Sequence, residues 1–180
     1  MDSVRRCELP QTAFLRACRD RGAYADCYAV EVPGSVTQAA FVEAFYTTTL
    51  FKVERALLGW LAARPSTDGE ARRLAQGSLG SFAAWRVEAR SADQLLLADF
   101  TGRTKSWLMT ASVAGADGDS RTRLHFGSAV VPRLHPGTGR RGMGFAFHAL
   151  LGFHRLYSRL LLASARSRLL ARRGADVSEP

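Results

Sequence analysis

The sequence predicts a single α+β domain in which a curved antiparallel sheet wraps around a long C-terminal helix. Three observations predict this fold class. The hydrophobic period changes from about 3.6 to about 2 residues near position 82, four alternating segments follow, and the chain ends in one long helical pattern. Strands and helices that are segregated along a chain are typical of α+β proteins, and the short connections require antiparallel neighbours.

The first part of the chain is predicted to contain one strand with helices before and after it. The predicted elements are a helix over 11–20, a strand over 24–32, helices over 35–46 and 50–63, and a short helix over 67–74. Two helix starts rest on capping boxes, Ser35 with Gln38 and Thr67 with Glu70. In such a box each side chain accepts a hydrogen bond from the other residue's backbone N–H.

The second part is predicted to form four hairpin-linked strands and one helix. The strands are expected over 82–89, 94–100, 105–113 and 122–131, and the helix over 142–172. On this helix Arg155 and Arg159 belong to a polar stripe, whereas Phe153, Tyr157 and Leu160 belong to an apolar face that we expect to cover the sheet.

Length and composition agree with one domain. The chain has 180 residues, of which 47% are hydrophobic, so a single substantial core is expected. We predict an N-terminal extension with a short helix over 1–22, the main domain over 23–173 and a disordered tail over 174–180.

The chain is basic, with a formal net charge of +9 from 25 Lys and Arg against 16 Asp and Glu. A basic surface attracts anions, acidic lipids and nucleic acid without selecting among them. Aromatic residues follow the core period and do not alternate with arginines on one surface, so no specific nucleic-acid binding is expected.

The three cysteines, Cys7, Cys18 and Cys27, contain no C-x-x-C pair. Their odd number argues against a disulfide framework and a zinc site, and it fits a reducing compartment. The N-terminus has no apolar h-region, and no apolar run is long enough to span a bilayer. A cytoplasmic protein is therefore expected.

Residues 137–142 match G-x-G-x-x-G, a dinucleotide-binding pattern. No second parallel strand follows the helix that this segment would open, so no nicotinamide or flavin cofactor is expected. A loop is the favoured interpretation, with an anion site at Arg140 or Arg141 as the alternative.

No catalytic set can be assembled by spacing. The four histidines form no H-x-x-x-H, which argues against a metal, and alternation places His125 on the outer face of the sheet. Asp99 is followed by Arg103 and Lys105 across a tight turn, where an ordinary ion pair is expected. Neither a Ser/His/Asp nor a Cys/His arrangement is apparent.

The candidate ligand-binding residues are Trp85, Trp107, His154 and Tyr157. Strand alternation predicts that Trp85 and Trp107 share the concave face, and helical phase predicts that Tyr157 faces them, with His154 at the edge. An apolar ligand between sheet and helix would contact all four, with the imidazole as its polar partner. The same residues would equally fill a core without a cavity.

Several short segments carry a resemblance to a known family: Tyr24-Ala25-Asp26-Cys27-Tyr28-Ala29-Val30, Leu58-Gly59-Trp60-Leu61, Phe82-x-x-Trp85-x-Val87, Leu95-Leu96-Leu97-Ala98-Asp99 and Phe153-His154. Over about residues 24–165 the chain resembles an uncharacterised bacterial domain-of-unknown-function family that is grouped with the START-like, or birch-pollen-allergen-like, helix-grip superfamily. The resemblance implies a cavity for apolar ligands such as lipids, steroids and polyketides.

Three functions follow from these observations. The first is a binding protein for an apolar or amphipathic small molecule held between the sheet and the C-terminal helix. The second is a cyclase, lyase or isomerase, since the resemblance implies that some members of the superfamily are enzymes. The third is a domain with a filled core that binds a protein partner or an anionic surface through its arginine-rich helix.

Overall fold

The fold is α+β, as the sequence predicts. The computed structural model describes residues 3–53, 66–115, 118–134, 141–142 and 145–177. The elements are β1 (Arg5–Arg6), α1 (Arg16–Asp20), β2 (Tyr24–Pro33), α2 (Gln38–Tyr46), α3 (Asp68–Ala75), β3 (Ser81–Phe82), β4 (Trp85–Arg90), β5 (Gln94–Asp99), β6 (Thr104–Ala114), β7 (Ser120–Val130), β8 (Arg133–Leu134), β9 (Arg141–Gly142) and α4 (Phe145–Val177).

The centre of the domain is a seven-stranded antiparallel sheet in the order β1-β2-β7-β6-β5-β4-β3. The four hairpin-linked strands predicted between 82 and 131 are confirmed as β4 to β7. The sheet ends on each side in a two-residue strand, β1 or β3. The arrangement of an antiparallel sheet with a long C-terminal helix packed on it is consistent with a helix-grip fold.

Both faces of the sheet are covered, and each face has its own core. The inner face packs against α2 and α4 through residues such as Val30, Leu108 and Leu124. The outer face is covered by the N-terminal segment, in which Leu9 and Leu15 are buried. β5 and the middle of β6 are therefore buried on both faces, and alternation alone does not show which of their faces is inner.

The N-terminal segment, predicted as an extension over 1–22, is packed against the domain through α1 and β1. The amide side chain of Gln94 holds it in place, because its Oε1 accepts a hydrogen bond from the Phe14 N–H at 3.1 Å and its Nε2 donates to the Thr12 carbonyl at 3.0 Å. The approach is close enough that a Cβ at Gly127 would lie 2.9 Å from Leu15 Cδ2 and 2.8 Å from the Asp26 carbonyl oxygen.

The helix α4 packs on the sheet, and its predicted apolar face is confirmed at Tyr157 and Leu161 but not throughout. Its buried residues include Ser158, Leu161, Leu162 and Ala165. Phe153, by contrast, is 67% exposed and Leu160 is 49% exposed, so their predicted place on the covering face was wrong. The reason is that leucines occur all around this helix, and composition does not select one side of it.

The same helix is longer than predicted and has no break at Arg173. It continues to Val177 through part of the expected tail over 174–180, and residues 178–180 lie outside the described residues. The Arg173 guanidinium donates to the carbonyl oxygens of Pro33 and Ser35, which fixes this end of the helix to the turn after β2.

The helix starts show one correct and one wrong prediction. The capping box of Thr67 and Glu70 is present at the start of α3. The N-cap of α2, however, is Thr37, whose side chain accepts from the Ala40 N–H at 3.2 Å. Gln38 does not close a box with Ser35, because its side chain is buried and donates to the Leu108 carbonyl.

Residues 49–53 are helical, and the rest of the helix predicted over 50–63 lies outside the described residues.

The strand predicted over 82–89 is interrupted. Ala83 has a φ of 51°, in the left-handed region, and the chain turns there between β3 and β4.

In the described part of the chain, no helix is long and apolar enough to cross a membrane.

Candidate functional site

A cavity of about 130 Å³ lies between the inner face of the sheet and α4. Its apolar wall is formed by the aromatic rings of Phe45, Phe51 and Phe126, together with Leu161. Its polar wall includes Ser128 of β7 and His154 and Ser158 of α4. The core is therefore not filled at this point, and the cavity combines an apolar surface with hydrogen-bonding groups.

At the polar wall three side chains form one hydrogen-bonded chain. The Ser128 hydroxyl donates to Asp26 Oδ1 at 2.8 Å, and Ser128 Oγ lies 2.7 Å from His154 Nε2. Since the single hydroxyl proton points to Asp26, the Nε2–H of His154 donates to Ser128 Oγ. His154 Nε2 also lies 3.5 Å from Asp26 Oδ2.

The sheet register brings these residues together. Asp26 of β2 and Ser128 of β7 are directly opposite each other in the antiparallel pair. Both have even numbers, as do Tyr28 and Phe126, which pack in the inner core. Residues two apart on a strand point to the same face, so the carboxylate and the hydroxyl both point towards α4, where His154 meets them.

The Asp26 carboxylate is the charged centre of the site. Its side chain is 0% exposed, and it also accepts hydrogen bonds from the Ser128 N–H and the Tyr24 hydroxyl. Burial raises the pKa of Asp26, but the hydrogen bonds with His154 and Ser128 outweigh it, so that the pKa lies below its ordinary value of 3.8. Asp26 is therefore ionised at neutral pH.

The charge of Asp26 affects its neighbours on the same face. Burial, with the nearby Asp26 charge, raises the pKa of Tyr28 to about 12. Tyr28 is thus a neutral phenol. At the exposed side of the site, the hydrogen bond with Tyr24 raises the pKa of Arg155. A cation on the surface therefore lies at the outer end of this polar chain.

Two polar atoms at the cavity have no protein partner among the described residues. They are Ser158 Oγ, in a residue that is completely buried, and Trp85 Nε1. Buried polar groups in native proteins are almost always hydrogen-bonded, because leaving one unsatisfied costs about 1–3 kcal/mol. Both groups are available for a hydrogen bond to a molecule in the cavity.

The geometry differs from that of a Ser-His-Asp hydrolase. In a triad the serine and the carboxylate bond different nitrogens of the imidazole, whereas here Ser128 and Asp26 both face Nε2 of His154. With its proton on Nε2, the ring cannot take the proton of Ser128. The arrangement orients His154 through one nitrogen, and Nδ1 has no partner in the described part of the chain.

Three of the four predicted ligand-binding residues line the cavity, namely Trp85, His154 and Tyr157. The placement of Trp107 on the concave face was wrong. Its indole lies on the outer face, fully buried among Leu9, Leu15 and their neighbours, and its Nε1–H donates to Gln94 Oε1 at 2.9 Å. Alternation relates residues within one strand only, and β6 is buried on both faces around Trp107, so its own pattern does not show which face the indole occupies.

Sequence reasoning did not identify Asp26, Ser128 or Ser158. A local signal existed for Asp26, since a carboxylate at the same parity as Tyr28 and Val30 in an apolar strand has to face the core. Ser128 had no such signal, because a serine in a strand is common and its partner is 102 residues away.

The other sequence candidates are structural. The Asp99 carboxylate accepts from the Thr101 hydroxyl and the Arg103 N–H within its turn. Lys105 pairs with Glu88 and not with Asp99, so the ion pair expected for Lys105 was wrong. His125 is on the outer face as predicted, but it is buried, with its ring centroid 6.1 Å from that of Trp107.

No group of three or more metal-ligating side chains occurs within the described ranges. In the G-x-G-x-x-G segment, Arg141 and Gly142 form β9, and residues 137–140 lie outside the described residues.

Fold and site together define a single α+β domain with a small, partly polar cavity between its sheet and its C-terminal helix. No protein-family model matches the chain, and no curated protein matches it. The relation to the START-like superfamily stays a prediction that rests on the residues quoted above.

Proposed function

We propose that the protein binds a small amphipathic molecule, of about the size of one aromatic ring, in the cavity between the sheet and α4. The observation that carries this proposal is a pair of buried polar atoms at a cavity with an aromatic wall, Ser158 Oγ and Trp85 Nε1, for which the described part of the chain offers no partner. A ligand that offers a hydrogen-bond acceptor to these groups and a flat apolar surface to the phenylalanines would satisfy both.

Size selects among the ligands that the resemblance implies. The cavity holds about 130 Å³, and a protein cavity of about 150 Å³ is sufficient for benzene. Pockets for larger ligands usually measure about 300–1,000 Å³. A single aromatic ring is therefore about the largest group that this cavity encloses as it stands, with any polar substituent at its polar wall, whereas a steroid or a long acyl chain requires the walls to move.

The polar wall determines which substituent is favoured. The Trp85 indole is a donor only, and the Ser158 hydroxyl can donate or accept. A carbonyl or carboxylate oxygen suits both groups. The imidazole of His154 lies on the same wall, oriented by Ser128 and Asp26.

The test is a binding screen with matched variants. Benzaldehyde, benzamide, benzoate and phenol are compared with cholesterol and palmitate by isothermal titration and tryptophan fluorescence. Ser158→Leu fills the cavity and removes the unpaired hydroxyl, so it should abolish binding without loss of folding. Ser167→Leu places the same substitution on an exposed part of α4 and should bind as the parent does.

Preferential binding of the large ligands would contradict the size assignment. Binding that Ser158→Leu leaves unchanged would contradict the site. If none of the compounds binds, the third function, in which the arginine-rich helix contacts a partner or an anionic surface, becomes the better proposal.

A second candidate function is an enzyme of the same fold, a cyclase, lyase or isomerase. It is favoured by the imidazole at the cavity wall, which is anchored through Nε2 and whose Nδ1 has no partner among the residues that the structure describes. Such a nitrogen can accept or return a proton on a bound ligand. His154→Gln should then weaken ligand binding without abolishing it, and it should abolish any turnover detected by mass spectrometry of the ligand.

A further inference from the structure

Two cysteines meet where β1 joins the sheet. Arg6 pairs with Tyr28 in the register of β1 and β2, so the next residue, Cys7, faces Cys27. The Cys7 N–H donates to the Cys27 carbonyl at 3.0 Å, and the two Sγ atoms are 3.2 Å apart. A disulfide requires about 2.05 Å between the sulfurs, so a shift of roughly 1 Å would allow the bond to form.

The two thiols have different surroundings. Cys27 is buried at 1% exposure, whereas Cys7 is partly exposed and borders an open groove of about 390 Å³. The hydrogen bond with Cys27 lowers the pKa of the Cys7 thiol, burial raises it, and the charges of Arg123 and Arg5 lower it, with a net lowering. The same hydrogen bond and its own burial raise the pKa of Cys27. Cys7 is therefore the thiol that ionises first.

We propose that Cys7 and Cys27 are a redox-active dithiol that reduces low-molecular-weight disulfides such as oxidised glutathione. This site lies on the outer face of the sheet and does not depend on the function proposed for the cavity.

The reaction is thiol–disulfide exchange in two steps. The Cys7 thiolate attacks one sulfur of the oxidised glutathione, its S–S bond breaks, and one glutathione thiolate leaves. Cys27 then loses its proton and attacks Sγ of Cys7 in the mixed disulfide, which releases the second glutathione. The protein loses two electrons and two protons and becomes the disulfide, and one oxidised glutathione becomes two reduced molecules.

The groove beside Cys7 suits an anionic disulfide. Arg6 and Arg19 line it together with two acidic residues, Glu8 and Asp26, and the carboxylate of Asp26 is buried on the other face of the sheet. Oxidised glutathione carries several carboxylates, so the two guanidinium groups can hold it with one sulfur near Cys7.

The third cysteine provides an internal control. Cys18 is buried at 4% in the same outer core, and no sulfur–sulfur contact joins it to Cys7 or Cys27 within the described residues. It should stay reduced while the other two are oxidised.

The experiment equilibrates the full chain with glutathione buffers of increasing oxidised fraction, followed by acid quenching, alkylation and peptide mass spectrometry. We expect a Cys7–Cys27 disulfide and one alkylated residue, Cys18. Cys27→Ser should accumulate a glutathione adduct on Cys7, and Cys18→Ser should behave as the parent. Brief iodoacetamide labelling should modify Cys7 on the order of tenfold faster than Cys18, because reactivity follows thiolate content and access.

Three alkylated cysteines at every buffer composition would overturn the proposal, and so would a disulfide that includes Cys18 or joins two chains. Cys7→Ser changes a partly exposed position and should fold normally. It should give neither the adduct nor the disulfide, and oxidation that survives this substitution would also refute the assignment.

Discussion

Asp26 and Ser128 occupy directly opposite positions on β2 and β7, and their hydrogen bond of 2.8 Å leaves the serine oxygen as the acceptor for His154. A carboxylate that no solvent reaches thereby orients an imidazole at the cavity wall. The contact joins the sheet to α4, so the same pair contributes to both stability and ligand recognition.

Replacing Asp26 with asparagine should lower the free energy of unfolding by about 1.5–3 kcal/mol, the usual contribution of a hydrogen bond to a charged group. Asparagine keeps the shape of the side chain, but it loses the negative charge that strengthens the hydrogen bonds from Ser128, Tyr24 and His154. Urea unfolding measures the change. The control Asp20→Asn, at an exposed position, should stay within about 0.5 kcal/mol of the parent.

The effect of Asp26→Asn should depend on pH in a defined direction. The folded-state pKa lies below 3.8, so the contribution of the carboxylate is fully present above that value and is lost as the pH falls through the folded-state pKa. The difference between parent and variant should therefore be constant near neutrality and shrink only in strong acid. A difference that grows on acidification would contradict the assignment.

His125 should make the protein less stable in mild acid. Burial, followed by the charge of Arg123, lowers its pKa from 6.5 to about 4. Between these values the unfolded chain binds a proton that the folded chain does not, so stability is complete above about pH 6.5 and falls towards pH 4, by roughly 3 kcal/mol in total. Denaturant unfolding of His125→Phe should lack this slope, whereas Asp26→Asn should retain it.

The two tryptophans on opposite faces should respond differently to truncation. Trp107→Ala should cost about 3–5 kcal/mol of unfolding free energy, because the indole is fully buried in the outer core. Trp85→Ala should cost less, because Trp85 is partly exposed and borders a cavity, but it should weaken ligand binding. Thermal unfolding and ligand titration of both variants separate the two effects, and equal stability losses would contradict the placement of Trp107.

The start of α2 offers a test of its cap. Thr37→Ala should lower the unfolding free energy by about 1 kcal/mol, since it removes the acceptor for the Ala40 N–H. Ser35→Ala, at the position that the sequence pattern favoured, should change it by less than about 0.5 kcal/mol. Chemical denaturation of the two variants distinguishes them, and a larger loss for Ser35→Ala would restore the original interpretation.

Features that depend on the local hydrophobic period could be predicted from the sequence. Features that depend on contacts between distant parts of the chain could not. The β5 to β7 hairpins and the α3 capping box follow from neighbouring residues, and the structure confirms them. The face of Trp107 depends on the N-terminal segment, which covers the outer side of the sheet. Asp26 and Ser128 meet because the first long strand pairs with the last, and no spacing in the sequence records that pairing.

The two-residue strands at both margins of the sheet have a consequence for behaviour at high concentration. Long strands with free margins invite other chains to add to the sheet, which leads to aggregation. Here β1 presents only Arg5 and Arg6, both exposed and positively charged, and β3 is equally short. These short strands occupy the sheet edge beside Tyr28 and Ala29 of β2 and beside Trp85 and Arg86 of β4, so another chain cannot add one long, uninterrupted strand at either side, and the protein should remain monodisperse.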